Sequence, residues 1–130
     1  MIQNNVAQAQ TRISLIPLSD ITQTTTGTGV SIVGYVGEAK FVALAKNVAG
    51  TSPTLAIKLQ ESDDDSDYAD VSGATFTTVT DAGTKASVAH TINLQLDRRK
   101  RFLRAVATIG GTNSPQFLVG VVGFVLTQER

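Results

Sequence analysis

Apolar and polar side chains alternate with a period of two in this chain, in short runs separated by Gly, Pro, Asn, Asp and Ser. No other feature limits its folding as strongly. In Thr54–Glu61, Leu55, Ile57 and Leu59 fall on one side and Thr54, Lys58 and Gln60 on the other. That is how a strand with one wet face and one core face is written. Val88, His90, Ile92 and Leu94 alternate in the same way with Ala89, Thr91, Asn93 and Gln95. This puts His90 on the apolar side, as a core or interface residue rather than a ligand. Further runs are Val30–Val36, Ala39–Lys46, Thr75–Val79, Phe102–Ile109 and Phe117–Thr127. No segment carries an apolar stripe at helical spacing. The connections are too short to hold crossover helices, so pairing is antiparallel. The expected fold is all-β, an antiparallel jelly-roll-like β-sandwich with an extended N-terminal arm.

At 130 residues the chain has the length of one domain. The first thirty residues are polar and rich in Thr and Gln, apart from Ile13–Leu18, where Pro17 argues against a long helix. Residues 1–29 are therefore expected to be an arm and connection, with Met1–Gln10 as the arm proper, and residues 30–130 the sandwich. Met1–Asn5 has no basic segment leading into an apolar one, so no export signal is expected. The longest apolar run, Phe117–Leu126, is about half the ~20 residues of a membrane-spanning helix and is rich in Val and Gly. It reads as a buried strand, and no membrane partner is expected.

Composition narrows the chemistry. Lys plus Arg number 11 and Asp plus Glu number 11, so no global field draws the chain to a polyanion. There is no cysteine and only one histidine, which excludes thiolate chemistry and a histidine-rich metal site within one chain. Asp63, Asp65 and Asp67 have the alternate spacing of the first ligands of a calcium loop. Tyr68 and Ala74, however, stand where such a loop needs glycine and glutamate, so the run reads as a solvated hairpin loop. The basic run Arg98-Arg99-Lys100-Arg101, with Arg104 beyond it, has only Phe102 interleaved and lacks the stacking aromatics of a single-strand platform. Nucleic acid is not expected as a partner. These side chains are expected to meet carboxylates, either the acidic run of the same chain or that of a neighbour. The Gly pairs at residues 27–29 and 110–111 lack phosphate-loop spacing, and no Gly-x-Ser-x-Gly elbow accompanies His90. Catalytic residues, metals and cofactors are accordingly expected to be none.

Two segments carry a resemblance. Leu59-Gln60-Glu61-Ser62-Asp63-Asp64-Asp65-Ser66-Asp67-Tyr68-Ala69-Asp70-Val71 resembles the strand–loop–strand of small β-sandwich proteins from tailed-bacteriophage structural gene clusters, with Asp65 where a loop glycine is usual. Arg98-Arg99-Lys100-Arg101-Phe102-Leu103-Arg104-Ala105 and Gly110-Gly111-Thr112-Asn113-Ser114-Pro115 resemble a later segment of the same proteins. About half the chain, Leu55 to Val122, is covered. The proteins that these segments resemble are the capsid cement, or decoration, proteins.

The resemblance implies a non-enzymatic structural protein, made in the host cytoplasm and placed on the capsid exterior of the virion. Its implied partners are the major capsid protein and further copies of itself, as a homodimer or homotrimer. Expected contact residues are Met1, Ile2, Gln3, Asn4 and Asn5 of the arm, together with Arg98, Arg99, Arg101 and Arg104. The alternatives are a tail, neck or spike-base protein, and a carbohydrate- or ligand-binding sandwich, which would need exposed aromatic platforms from Tyr35 or Tyr68.

Overall fold

A computed structural model describes residues 8–80 and 87–128. Its elements are β1 (Gln8–Ile21), β2 (Thr25–Thr26), β3 (Val30–Ser31), β4 (Tyr35–Ser62), β5 (Ala69–Thr75), β6 (Val79–Thr80), β7 (Val88–Gln95), a 3-10 turn (Leu96–Arg98) and β8 (Phe102–Gln128). Two of these are far longer than the usual strand of roughly 3–10 residues. β4 and β8 pair antiparallel along nearly their whole length, from Tyr35 opposite Thr127 to Ser62 opposite Phe102. They form one ribbon, bent in the middle.

The bend is written in the sequence. Around Asn47–Thr54 the register with β8 slips three times. Gly50 and Gly111 take φ of 113° and 116°, and Ser52, Asn113 and Ser114 are also left-handed. A Cβ on Gly50 would stand 2.6 Å from the Pro115 Cα, and one on Gly111 2.9 Å from the Pro53 Cα, so both positions need glycine for space as well as for φ. Buried Asn47 fastens the corner by donating from Nδ2 to the carbonyls of Ala49 at 2.9 Å and Gln116 at 3.2 Å.

Folding the ribbon at that corner creates two layers. In the first sheet, the C-terminal half of β8 lies between β1 and the N-terminal half of β4, and β7 borders β4 on the far side. In the second, the N-terminal half of β8 lies between β2–β3 and the C-terminal half of β4, with β5 and β6 beyond. Across the layers β1 approaches β3 and β5 approaches β7. This is a jelly-roll sandwich, as the alternation predicts. One core fills it: Phe41, Leu55, Ile57, Leu59, Leu103, Phe117, Val119, Val121 and Val125 are all within 1% of full burial. Each such side chain contributes about 1.5–3 kcal/mol by leaving water.

The structure corrects three sequence expectations. The sandwich begins before residue 30: β1 supplies Ile13, Leu15, Ile16 and Ile21 to the core, and Pro17 is accommodated where its register with β8 slips. Of the expected arm, residues 1–7 lie outside the described residues, while the backbone of Gln8–Gln10 pairs with Leu126–Gln128. Of the strand expected at Thr75–Val79, Thr75 ends β5 and Val79 begins β6, and residues 76–78 form the gap between them, where buried Phe76 donates its N–H to the Ile57 carbonyl at 2.9 Å. The run Val30–Val36 divides at a turn over Val33 and Gly34.

Candidate binding surfaces

The β3–β4, β4–β5 and β7–β8 connections meet at one end of the sandwich, and they bring the acidic and basic runs together. Lys100 Nζ lies 3.9 Å from Asp63 Oδ2, and Arg99 Nη1 lies 3.7 Å from Glu61 Oε2. The Lys100 N–H donates to Glu61 Oε1 at 3.0 Å. The charge complementarity expected either within the chain or with a neighbour is thus met within it for Arg99 and Lys100.

Inside the acidic loop, Asp64 is the organising carboxylate, not the alternating Asp63, Asp65 and Asp67. Its Oδ1 accepts from the Ser62 hydroxyl at 2.8 Å and from the N–H groups of Ser66 and Asp67 at 3.0 Å each. The Asp67 N–H, then the Ser62 hydroxyl and the Ser66 N–H, hold its carboxyl below the usual carboxylate range. Asp65 adopts φ of 59°, the left-handed conformation for which glycine is usual at this point, and Asp tolerates it. Its carboxylate accepts from the Tyr68 hydroxyl. Among the described residues, no group of three His, Asp or Glu side chains is placed to hold a metal ion.

Arg104 sits on the outer face of the second sheet. Its guanidinium lies 3.9 Å from the Tyr68 ring centroid, and its Nε donates to Gln60 Oε1 at 2.8 Å. Gln60 Nε2 in turn donates to Asp70 Oδ1 at 2.8 Å, and Lys58 Nζ lies 3.0 Å from the same carboxylate. The Gln60 and Lys58 hydrogen bonds hold Asp70 below the usual carboxylate range. A polar ladder therefore crosses β5, β4 and β8. Of the four arginines singled out by sequence, Arg99 and Arg104 are engaged internally, whereas Arg98 and Arg101 are exposed and form no ion pair among the described residues. Arg101 only approaches the Phe102 ring, at 6.0 Å.

The outer face of the first sheet is different, and sequence reading missed it. In β8 the residues facing the core are Phe117, Val119, Val121 and Val125, while Leu118, Gly120, Val122, Phe124 and Leu126 alternate with them on the outside. Only half of the run read as a buried strand is turned inward. Val42 and Leu44 of β4 and Leu18 of β1 extend this apolar face, with Leu18 64% and Leu44 43% exposed. Three shallow grooves cross it, one between Glu38, Lys40, Phe124 and Leu126 and two around Leu18 and Leu44. The signal was present: ten apolar residues in a row give a strand two apolar faces, and a two-layer sandwich covers only one of them.

No family model and no curated protein sequence matches the chain. Solved structures do match. The SPBc2 prophage-derived protein YomS aligns over 98% of this chain and 100% of its own, with a TM-score of 0.53 at 10% identity. VP2 of the infectious bursal disease virus subviral particle aligns over 98% of this chain and 34% of its own, with a TM-score of 0.52 at 10% identity. What these likenesses share is the fold. PorU of Porphyromonas gingivalis carries it too, over 95% of this chain and 13% of its own, with a TM-score of 0.54 at 11% identity. The structural neighbours thus include a phage-derived protein and a viral particle protein, and the sandwich also serves as one part of much longer chains.

Proposed function

We propose that this chain is a non-enzymatic structural protein of a tailed-phage particle, a cement protein that binds the capsid exterior and ties neighbouring major capsid subunits together. One observation carries the reading. On the second sheet the ladder and the acidic loop pair most of their polar groups within the chain, while the outer face of the first presents an apolar patch of Leu18, Val42, Leu44, Leu118, Val122, Phe124 and Leu126 set among Arg12, Glu38, Lys40 and Lys46. A surface of that kind is suited to contact with protein rather than to chemistry on a small molecule. The resemblance of Leu59–Val71 and Arg98–Pro115 to cement proteins supports the same reading, and a phage-derived neighbour of matching length is compatible with it.

A sugar-binding module is disfavoured by both tyrosines. Arg104 covers the Tyr68 ring, and Tyr35 is half-buried against the core, so neither is an open stacking platform. On the shell, Met1–Asn5 and the exposed Arg98 and Arg101 are the proposed contacts, with many weak contacts acting together. Because Gln8 already belongs to β1, removing residues 1–7 is the clean test of the arm: shell occupancy should fall sharply with the fold intact, and unchanged occupancy would remove the arm from the mechanism.

Peptide mass spectrometry of purified virus particles tests the reading itself. On the order of one copy per one to three major capsid subunits is the expected result for a protein repeated over a symmetric shell. A ratio tens of times lower would move the chain to the tail, neck or spike base, and absence from particles would overturn the structural role.

A further inference from the structure

The outer face of the first sheet carries a row of exposed and half-exposed apolar side chains, among them Leu18, Leu44, Val122 and Phe124. We infer that two chains pack face to face through it, about a two-fold axis that lies in the interface, crosses the strands at right angles and passes by the paired residues Val42 and Val122. This deepens the proposed function by giving its homo-oligomer a face, and it rests on that reading only for the expectation that copies associate.

The argument is one of register. An axis of this kind reverses strand direction, so a residue some number of positions before the centre meets the residue the same number after it. Val42 and Val122 are opposite each other in the sheet. Four positions either side of Val42 stand Glu38 and Lys46, both exposed. Glu38 of one copy therefore faces Lys46 of the other, twice over. Two positions either side of Val122 stand Phe124 and Gly120, and because Leu18 covers Gly120, with its Cα and Cδ1 3.3 Å from where a Gly120 Cβ would be, Phe124 of one copy meets Leu18 of the other. Four positions either side stand Leu118 and Leu126, so Leu meets Leu. Glu38 with Lys46 and Leu118 with Leu126 are complementary about the same centre, while Lys40, two positions before Val42, meets Leu44 and must carry its ammonium out to the edge of the contact.

Sheets packed this way lie about 10 Å apart and close to aligned, with their strands within roughly 30° of each other. Four strands about 4.8 Å apart and nine residues of about 3.3 Å rise give a face of roughly 20 by 30 Å. That is somewhat under the ~800 Å² per partner of standard interfaces, so the pair should be of about micromolar affinity.

Sedimentation equilibrium of the purified chain, with no shell present, tests this separately from the capsid role. A dimer in the micromolar range is expected. Val122→Asp should weaken it by about 100-fold or more, with an unchanged circular dichroism spectrum because the side chain is on the outer face. Val122→Ser is the milder check if the aspartate variant fails to fold. Glu38→Lys and Lys46→Glu should each weaken the dimer by about 5–10-fold, and the double exchange, which swaps both signs across the axis, should restore it to within about 2-fold. A chain that stays monomeric at about 500 µM would overturn the proposal and leave the face to a different protein. So would a dimer indifferent to substitution at Val122, or a double exchange no better than either single one.

Discussion

The two sheets share their central strands, β4 and β8, and bury the same kind of residue on their inner sides, yet their outer sides are opposites. On the second sheet Lys58, Asp70, Gln60, Arg104 and Tyr68 are joined in one polar ladder. On the first, the outward positions include Val42, Leu44, Val122, Phe124 and Leu126, set among Arg12, Glu38, Lys40 and Lys46, which form no such ladder among the described residues. The corner at Gly50 and Gly111 divides one ribbon into these two chemistries. A strand's inward residues specify the sandwich, and its outward residues specify whether that layer ends in water or continues into another molecule.

Substitutions on the two sides of one strand should break the comparison most sharply. Phe117→Ala, at a fully buried position, is expected to cost about 3–5 kcal/mol in denaturant unfolding, because it removes contacts and leaves a cavity. Phe124→Ala, measured on dilute chain, should cost about 1 kcal/mol or less. Similar losses at both would mean that the outer face is already covered. Next in size is the corner. Gly50→Ala should cost about 1–3 kcal/mol, because both φ and the approach of Pro115 oppose a Cβ. An unchanged midpoint would show that the corner can relax.

The polar ladder should respond weakly. Gln60→Ala is expected to cost about 1 kcal/mol or less, as exposed networks do, while the Asp70 carboxyl rises towards its ordinary range in an NMR titration. No rise would mean that Lys58 alone accounts for the depression. The last effect is alkaline. Burial first, and then the hydrogen bond to the Asp65 carboxylate, push the Tyr68 hydroxyl up from 10.0 to about 12. Since the unfolded chain loses this proton first, the stabilisation is complete below the ordinary value and is lost as pH rises from there through the folded one. Ultraviolet titration should show one tyrosine ionising late, and Tyr68→Phe should abolish that late step.

Much of this architecture is legible in the sequence wherever a strand has one wet face. Thr54–Glu61 and Val88–Leu96 lie where their alternation puts them, with Leu55, Ile57, Leu59 and Leu94 inside. β5 escaped because it is an edge strand that carries Asp70, Ser72 and Gly73 and buries only Val71 and Ala74. β1 is legible only as a short edge strand near Ile13–Leu18, because its few core residues are set among polar ones and interrupted by Pro17. In Phe117–Leu126 the difficulty is reversed, since a pattern with no polar residue cannot say which face is outward. The meeting of Asp63 with Lys100 is long-range, and only the topology brings it about.

The central claim is that the first sheet's outer face is made for contact with a second copy of the chain and the second's is closed on itself. Methyl NMR spectra recorded through a dilution series test this most directly. The account predicts concentration-dependent shifts at Leu18, Leu44, Leu118, Val122 and Leu126, with the methyls of Leu55, Leu59 and Val106 unmoved. Shifts centred on the second sheet, or none anywhere, would contradict it.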